Sequence, residues 1–298
     1  MDQHYEYIGM KKQEVNQPIA FPSQHQNPPG FEHLMNPRPI FDSPDYVGSG
    51  KLKGKVAIIT GGDSGFGWAI AVAFAKEGAN LTILYLNEHE DAEETKEYVE
   101  KLGASCQLLP GDLRDPSTSE SAVAHTIKTY QQLDIVVNNA AVQPYTSDIM
   151  DVSDEQLDNT FRTNVYPLFY MTKAALPHLK YGSSIISTTS RVAYEGAPTV
   201  IDYSTSKGAI VSFTRTMALS LAGKGIRVNA VAPGPSWTPL SVSTYPPDDV
   251  EILGTDTPMG RASQPFEVAP TYVYLASNDS AYVTGQILHV NGGLIRYS

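Results

Sequence analysis

Tyr203-Ser-Thr-Ser-Lys207 sets a phenol and an ammonium four positions apart, which on a helix is one face. An ordinary phenol titrates at about pH 10, too high to exchange protons near neutrality; a cation held beside it favours the phenolate and lowers that value. On this reading Tyr203 is a general acid and base, and Lys207 tunes it. The same spacing also describes a tyrosine and a lysine on the surface of any amphipathic helix, so the pair gains meaning only from its company. Ser190, thirteen residues before Tyr203, offers a hydroxyl that could orient a substrate oxygen. Reading Ser204-Thr-Ser-Lys207 as the Ser-x-x-Lys of a serine hydrolase fails for want of the companion Ser-Asp-Asn and Lys-Thr-Gly elements.

A second chemistry is written at Thr60-Gly61-Gly62-Asp63-Ser64-Gly65-Phe66-Gly67, between the apolar run that starts at Val56 and the apolar stretch Trp68 to Lys76. Glycines at such a turn let a pyrophosphate reach backbone N–H groups at a helix N-terminus, where the dipole favours negative charge. The literal G-x-G-x-x-G fingerprint is missing, and Gly61-x-x-x-Gly65-x-Gly67 also suits an ordinary glycine-rich turn; the strand-turn-helix context favours a nucleotide. Two neighbouring motifs fail on spacing. Gly50-Lys-Leu-Lys-Gly54-Lys55 has one residue too few for a phosphate-binding loop, with Val56 in place of Ser or Thr. Gly62-Asp-Ser64-Gly-Phe66 lacks the last glycine of a nucleophile elbow.

Both groups of residues need a scaffold. From Lys55 onward short apolar runs (56–60, 80–84, 106–109, 135–138, 184–187, 227–231 and 286–290) alternate with amphipathic stretches near 66–77, 89–102, 117–131, 154–179, 204–223 and 266–276. That alternation predicts one α/β domain, a three-layer, doubly wound parallel sheet of Rossmann type. Continuous apolar content, as in Val-Ala-Ile-Ile, fits strands covered on both faces. The expected division is an extended arm over 1–52 and the catalytic domain over 53–298, with a small substrate lid near 236–264.

In order and approximate spacing, Thr60-Gly-x-x-x-Gly-x-Gly67, Asn138-Asn139-Ala140-Ala141, Asn164, Ser190, Tyr203-x-x-x-Lys207 and Pro233-Gly234 resemble the classical short-chain dehydrogenase/reductases over roughly 53–295. The Pro- and Asn-rich arm, the run from Tyr46 to Lys55 and Tyr85-Leu-Asn-Glu-His-Glu90 resemble an arm-bearing, glucose/ribitol dehydrogenase-like bacterial subgroup that includes general stress oxidoreductases. The resemblance implies an NAD(P)-dependent oxidoreductase that interconverts an alcohol and a carbonyl on a small aldehyde, ketone or sugar. Tyr203 is then the general acid/base, Lys207 lowers its pKa and grips the nicotinamide ribose, and Ser190 orients the substrate oxygen. Asn164 corresponds to the residue that holds a water linking Lys207 to solvent; an asparagine inside a helix, tolerated by local backbone irregularity, fits the same position. The cofactor set would be Gly61, Asp63, Ser64, Gly65, Phe66, Gly67, Tyr85, Leu86, Asp112, Leu113, Asn139, Ala140, Ala141, Pro233, Gly234 and Ser236, together with Tyr203 and Lys207. Of these Asp112 and Leu113 border the adenine, Asn139 the adenosine half, and 233–236 the carboxamide; Asp112 also reads as a plain turn acid. A homotetramer through the helices near 154–179 and 204–223 and the last strand is implied by the same analogy.

Three positions depart from the commonest pattern: Phe66 and Trp68 for Ile and Arg, and Asn291 for Asp before Gly292-Gly293. Losing a basic residue at 68 removes one contact to an NADP phosphate. The end of the second strand, Tyr85-Leu86-Asn87-Glu88, has neither the acid nor the arginine at its expected place, so the choice leans to NAD over NADP. A net charge of −11 repels nucleic acid and anionic lipid, no apolar run is long enough to span a bilayer, and no metal is called for. The single Cys106 and the polar start fit a cytoplasmic protein. Residues 1–50 hold seven of the 21 prolines and read either as a disordered tail or as a segment laid on the body or a neighbouring subunit. A dinucleotide sensor without turnover is the competing class; it predicts decay of Asn164, Ser190, Tyr203 and Lys207, all of which stand in place.

Overall fold

The computed structural model describes residues 20–295. Its first half runs β1 (Val56–Thr60), α1 (Gly65–Lys76), β2 (Asn80–Tyr85), α2 (His89–Lys101), β3 (Cys106–Pro110), α3 (Pro116–Tyr130) and β4 (Ile135–Asn138). The second continues with α4 (Asp154–Asn164), α5 (Tyr166–Ala175), β5 (Ser184–Thr188), the single turn α6 (Val192–Glu195), α7 (Ile201–Leu221) and β6 (Arg227–Pro233), then α8 (Pro239–Thr244), α9 (Pro247–Glu251), α10 (Pro265–Ala276) and β7 (Ile287–Val290).

All seven strands are parallel, in the order β3-β2-β1-β4-β5-β6-β7. Every residue of β1 is buried, because alternate side chains enter different cores. Ala57 and Ile59 pack with α1, α2 and α10, whereas Ile58 packs with α3, α5 and α7. This two-sided cover is why the strands read as continuous apolar runs. The order reverses between β1 and β4, opening the crevice at the carboxyl ends of the strands where ligands bind in such sheets.

Two helix boundaries differ from expectation. The stretch 154–179 is two helices, broken at Val165 (φ −116°, ψ −50°) just before Pro167, which has no N–H for the helical ladder. Helix α7 starts at Ile201, which puts Tyr203 in its first turn.

The described part of the arm lies on the body. Phe41 stacks on Trp68 and Phe21 on Trp237, each at 3.8 Å between ring centres. Ile40 forms two hydrogen bonds with the start of α10, its N–H to Gln264 and its carbonyl from Phe266. Phe21 and Met35 share a core with Trp237, Val242 and Val250, so the arm and the α8–α9 segment are packed as one layer. Among the described residues no helix is long and apolar enough to cross a membrane.

Candidate active site

Strand β1 ends at Thr60, and the chain turns through Gly61 to Ser64 into α1. Gly65 has φ +51°, a left-handed conformation that costs a side-chain-bearing residue about 1–2 kcal/mol. A Cβ on Gly67 would sit 1.7 Å from the Gly61 carbonyl oxygen, so the turn closes only with glycine there. The turn is held from β4: Asn139 Nδ2 donates to the carbonyls of Thr60 and Gly61, both at 3.2 Å, and Thr60 Oγ1 accepts from the N–H groups of Asn139 and Ala140.

A cavity of about 400 Å³ opens over these strand ends, within the range of small-molecule sites. Gly61, Asp63, Ser64, Gly65 and Phe66 line it from the turn, with Tyr85 and Leu86 beyond β2 and Asp112 and Leu113 beyond β3. Asn139, Ala140 and Ala141 follow β4, while Pro233 ends β6 and Gly234 and Ser236 follow it. Gly67 lies behind this wall, shaping the turn without facing the cavity. The Asp112 carboxylate is gripped by the Arg114 guanidinium at 2.6–3.0 Å, which holds it below the usual carboxylate range. Asp63 is buried against Glu88, and burial followed by that neighbouring acid pushes it up to about 7.

At the other end β5 delivers Ser190 just past Thr188, and α7 delivers Tyr203 and Lys207 to the same wall. Ser190 stands beside Tyr203 on this wall. The Lys207 ammonium is buried, donates to the Thr188 carbonyl at 2.9 Å and lies 5.3 Å from the centre of the Tyr203 ring. Burial and, less strongly, Tyr245 push the Tyr203 phenol above its ordinary range, while Ser190 works the other way. Burial alone brings Lys207 down to about 7. The family resemblance has Lys207 lowering Tyr203; here burial of each charged form sets the direction of both shifts.

Asn164 does not line the cavity. Its Oδ1 accepts from the Val142 N–H, and its Nδ2 donates to the Val142 carbonyl and to Ser206 Oγ. It ends α4 and staples the chain after β4 to α7, so its side-chain amide is engaged with protein groups. Ser204 Oγ bonds back to the Val200 carbonyl in its own helix and is absent from the cavity wall, which leaves a hydrolase nucleophile there without support. Trp68 is fully buried beneath Phe41, where it anchors the arm, and is absent from the cavity wall.

Several wall residues carry no signal in the sequence. Pro28, Pro29 and Gly30 reach the cavity from the arm, and Gln143, Arg191 and Tyr245 frame the space beside Tyr203. Gln143 Nε2 donates to Tyr245 Oη at 3.0 Å, and Arg191 pairs with Glu195 and Asp256. Arg191 stands next to Ser190 in sequence and Tyr245 falls within the lid expected near 236–264; the others have no such hint. Among the described residues no cluster of three or more His, Cys, Asp or Glu is placed to hold a metal ion.

A parallel sheet with a glycine turn at its switch point, and a Ser-Tyr-Lys group across the same cavity, defines a dinucleotide-dependent oxidoreductase. Residues 61–295 match the family model described as "Enoyl-(Acyl carrier protein) reductase". The chain is 60% identical to the "Uncharacterized oxidoreductase YhdF" of Bacillus subtilis (strain 168), over 91% of this chain and 94% of that protein. To the "Glucose and ribitol dehydrogenase" of Daucus carota it is 45% identical, over 92% and 96%. A short chain dehydrogenase from Burkholderia cenocepacia J2315, solved in complex with NADP, superimposes with a TM-score of 0.76 at 30% identity, covering 82% of this chain and 98% of that one. The chain belongs to the short-chain dehydrogenase/reductase family and is an NAD(P)-dependent oxidoreductase.

Proposed function

We propose that the chain interconverts an alcohol and a carbonyl on a small polar substrate, with Tyr203 as the acid and base. The observation that carries this reading is that Ser190, Tyr203 and Lys207 share the wall of a cavity that also reaches the glycine turn. The donor set fits a dinucleotide: glycines where side chains would obstruct the turn, Asn139 bracing it, and Lys207 at the far end. Gly61, Ser64, Gly65 and Phe66 would hold the pyrophosphate, and Pro233, Gly234 and Ser236 the carboxamide. When bound, the nicotinamide supplies or accepts a hydride. Ser190 orients the substrate oxygen; Tyr203 gives that oxygen a proton in reduction and takes it back in oxidation. Lys207, lowered to about 7 by burial, is poised to pass a proton toward Tyr203 near neutrality.

Gln143, Arg191 and Tyr245 give the substrate end polar donors, and Arg191 is already matched by Glu195 and Asp256. An uncharged, hydroxylated aldehyde, ketone or sugar suits this wall better than an anion. Asp63 and Glu88, both buried beside Tyr85 and Leu86, oppose a 2′-phosphate and favour NAD over NADP. The test is oxidation of NADH and of NADPH against small aldehydes, ketones and sugars. Faster turnover with NADH supports the assignment; the reverse order removes the role given to Asp63 and Glu88. Absence of turnover across the panel, with tight dinucleotide binding, contradicts the catalytic reading.

A further inference from the structure

Glu32 stands on the arm, in the single 3-10 turn Glu32–Leu34, and is fully buried. Its Oε2 accepts a hydrogen bond from the Gly65 N–H at 2.6 Å, at the first residue of α1, while Oε1 is buried without a partner. The turn that carries it is itself fixed. The backbone N–H groups of Glu32 and His33 donate to the two carboxylate oxygens of Asp91 on α2, at 2.7 and 3.1 Å, and His33 Nδ1 lies 2.7 Å from the same carboxylate. Gly65 faces a second segment on its other side: a Cβ there would meet Thr238, the residue before α8, at 3.3 Å. Gly30 of the arm lies so close to Pro239 that a Cβ would come within 2.8 Å of its carbonyl oxygen. Arm, glycine turn and α8 therefore meet at one point, where Glu32 is the polar link from the arm to the turn.

We propose that Glu32 is a positioning residue for the dinucleotide: by holding the Gly65 amide it fixes the glycine turn, and so makes docking of the arm a condition of tight cofactor binding. This rests on the reading that the pyrophosphate lies at the start of α1. The arm supplies a hydrogen-bond acceptor from outside the sheet, leaving the cavity side of the turn free for the ligand. An ionised carboxylate would work against an incoming pyrophosphate at the same helix end. Its surroundings suppress that charge: burial comes first, Asp91 from α2 and Asp63 from the turn act in the same sense, and the Gly65 bond and Arg38 of the arm oppose them, leaving Glu32 at about 8. Thr238 and Pro239 on the α8 side carry no charge. Near neutrality the group is a neutral acid that accepts from Gly65 without repelling phosphate.

The experiment is titration of the full chain with NADH, followed by fluorescence, for the native protein, Glu32→Gln and Glu32→Ala, with initial rates at saturating NADH. Glu32→Gln keeps an acceptor for Gly65 and is expected to bind NADH within about threefold of native; Glu32→Ala is expected to weaken binding about tenfold or more, as loss of a buried hydrogen bond implies, while kcat is largely kept. A merely structural glutamate would lower thermal stability in both variants without that split or the rescue by Gln. Should Glu32→Ala fail to fold, the pH dependence decides. The native affinity should fall more steeply as pH rises through about 8 than that of Glu32→Gln, in which Asp63 and Lys207 of the cavity still titrate near 7; parallel profiles overturn the proposal, as does native affinity in a folded Glu32→Ala. Competition by ADP against NADH in the native protein separates the two readings. If ADP does not compete, the pyrophosphate assignment fails; if it competes and Glu32→Ala binds as native does, only the role of Glu32 fails.

Discussion

At the residue scale, burial governs Asp63, Tyr203 and Lys207 more than pairing does, whereas Asp112 is governed by Arg114. Asp63 is raised to about 7 by burial and then by Glu88, against about 4 in an unfolded chain. The folded protein thus keeps a proton that the unfolded chain releases, and this contribution to stability is full below about pH 4 and lost as pH rises through 7. Asp63→Asn should accordingly flatten the fall of the melting temperature between about pH 5 and 7; an unchanged slope would mean that Asp63 ionises freely in the native state. Lys207 acts in the opposite sense: its contribution is present at high pH and is lost as pH falls through about 7, so it does not mask the lower window. Tyr203, Lys207 and Ser190 are legible in the sequence because their spacing is tied to one strand end and one helix. The direction of their shifts is not, since it follows from burial, which comes with the packed fold, and for Tyr203 also from Tyr245 of another segment. Asn164 is readable as a position but not as a contact, because its partners Val142 and Ser206 lie on either side of the break it terminates.

At the element scale, the strands and the glycine turn follow from continuous apolar runs, and each expected strand is found. The 154–179 stretch looks like one helix because Leu157, Phe161, Val165 and Leu168 recur at helical spacing across the break; Pro167, acting through the ladder bond it cannot make, divides it. The arm is the element least open to sequence reasoning. Its contacts are isolated aromatic and polar groups without periodicity, and their receptors, Trp68, Trp237 and Gln264, are far along the chain. Trp68→Ala should remove the seat of Phe41 and destabilise the fold by about 3–5 kcal/mol, measured by urea unfolding. A loss below about 1 kcal/mol, the size typical of surface changes, would mean that the arm is not anchored there. Because Pro28, Pro29 and Gly30 line the cavity, the same variant should also bind NADH less tightly.

For the whole molecule, the sheet order sets the working surface: the switch between β1 and β4 gathers the glycine turn, Asn139 and the Ser190–Tyr203–Lys207 group into one cavity. On the outside, Leu157 of α4, Tyr166 and Phe169 of α5 and Leu219 of α7 are exposed, apolar side chains on the helices through which a homotetramer is proposed. Light scattering should return the mass of four chains, and charged residues at Phe169 and Leu219 should reduce it; a monomeric native protein would refute that assembly. The most direct measurement compares Tyr203→Phe with the native chain, using NADH, NADPH and a panel of small aldehydes, ketones and sugars. Turnover with NADH that drops by about 100-fold or more in Tyr203→Phe, the scale of general acid/base catalysis, with NADH affinity unchanged, is the expected result. Equal turnover in the two proteins would contradict Tyr203 as the group that exchanges the substrate proton.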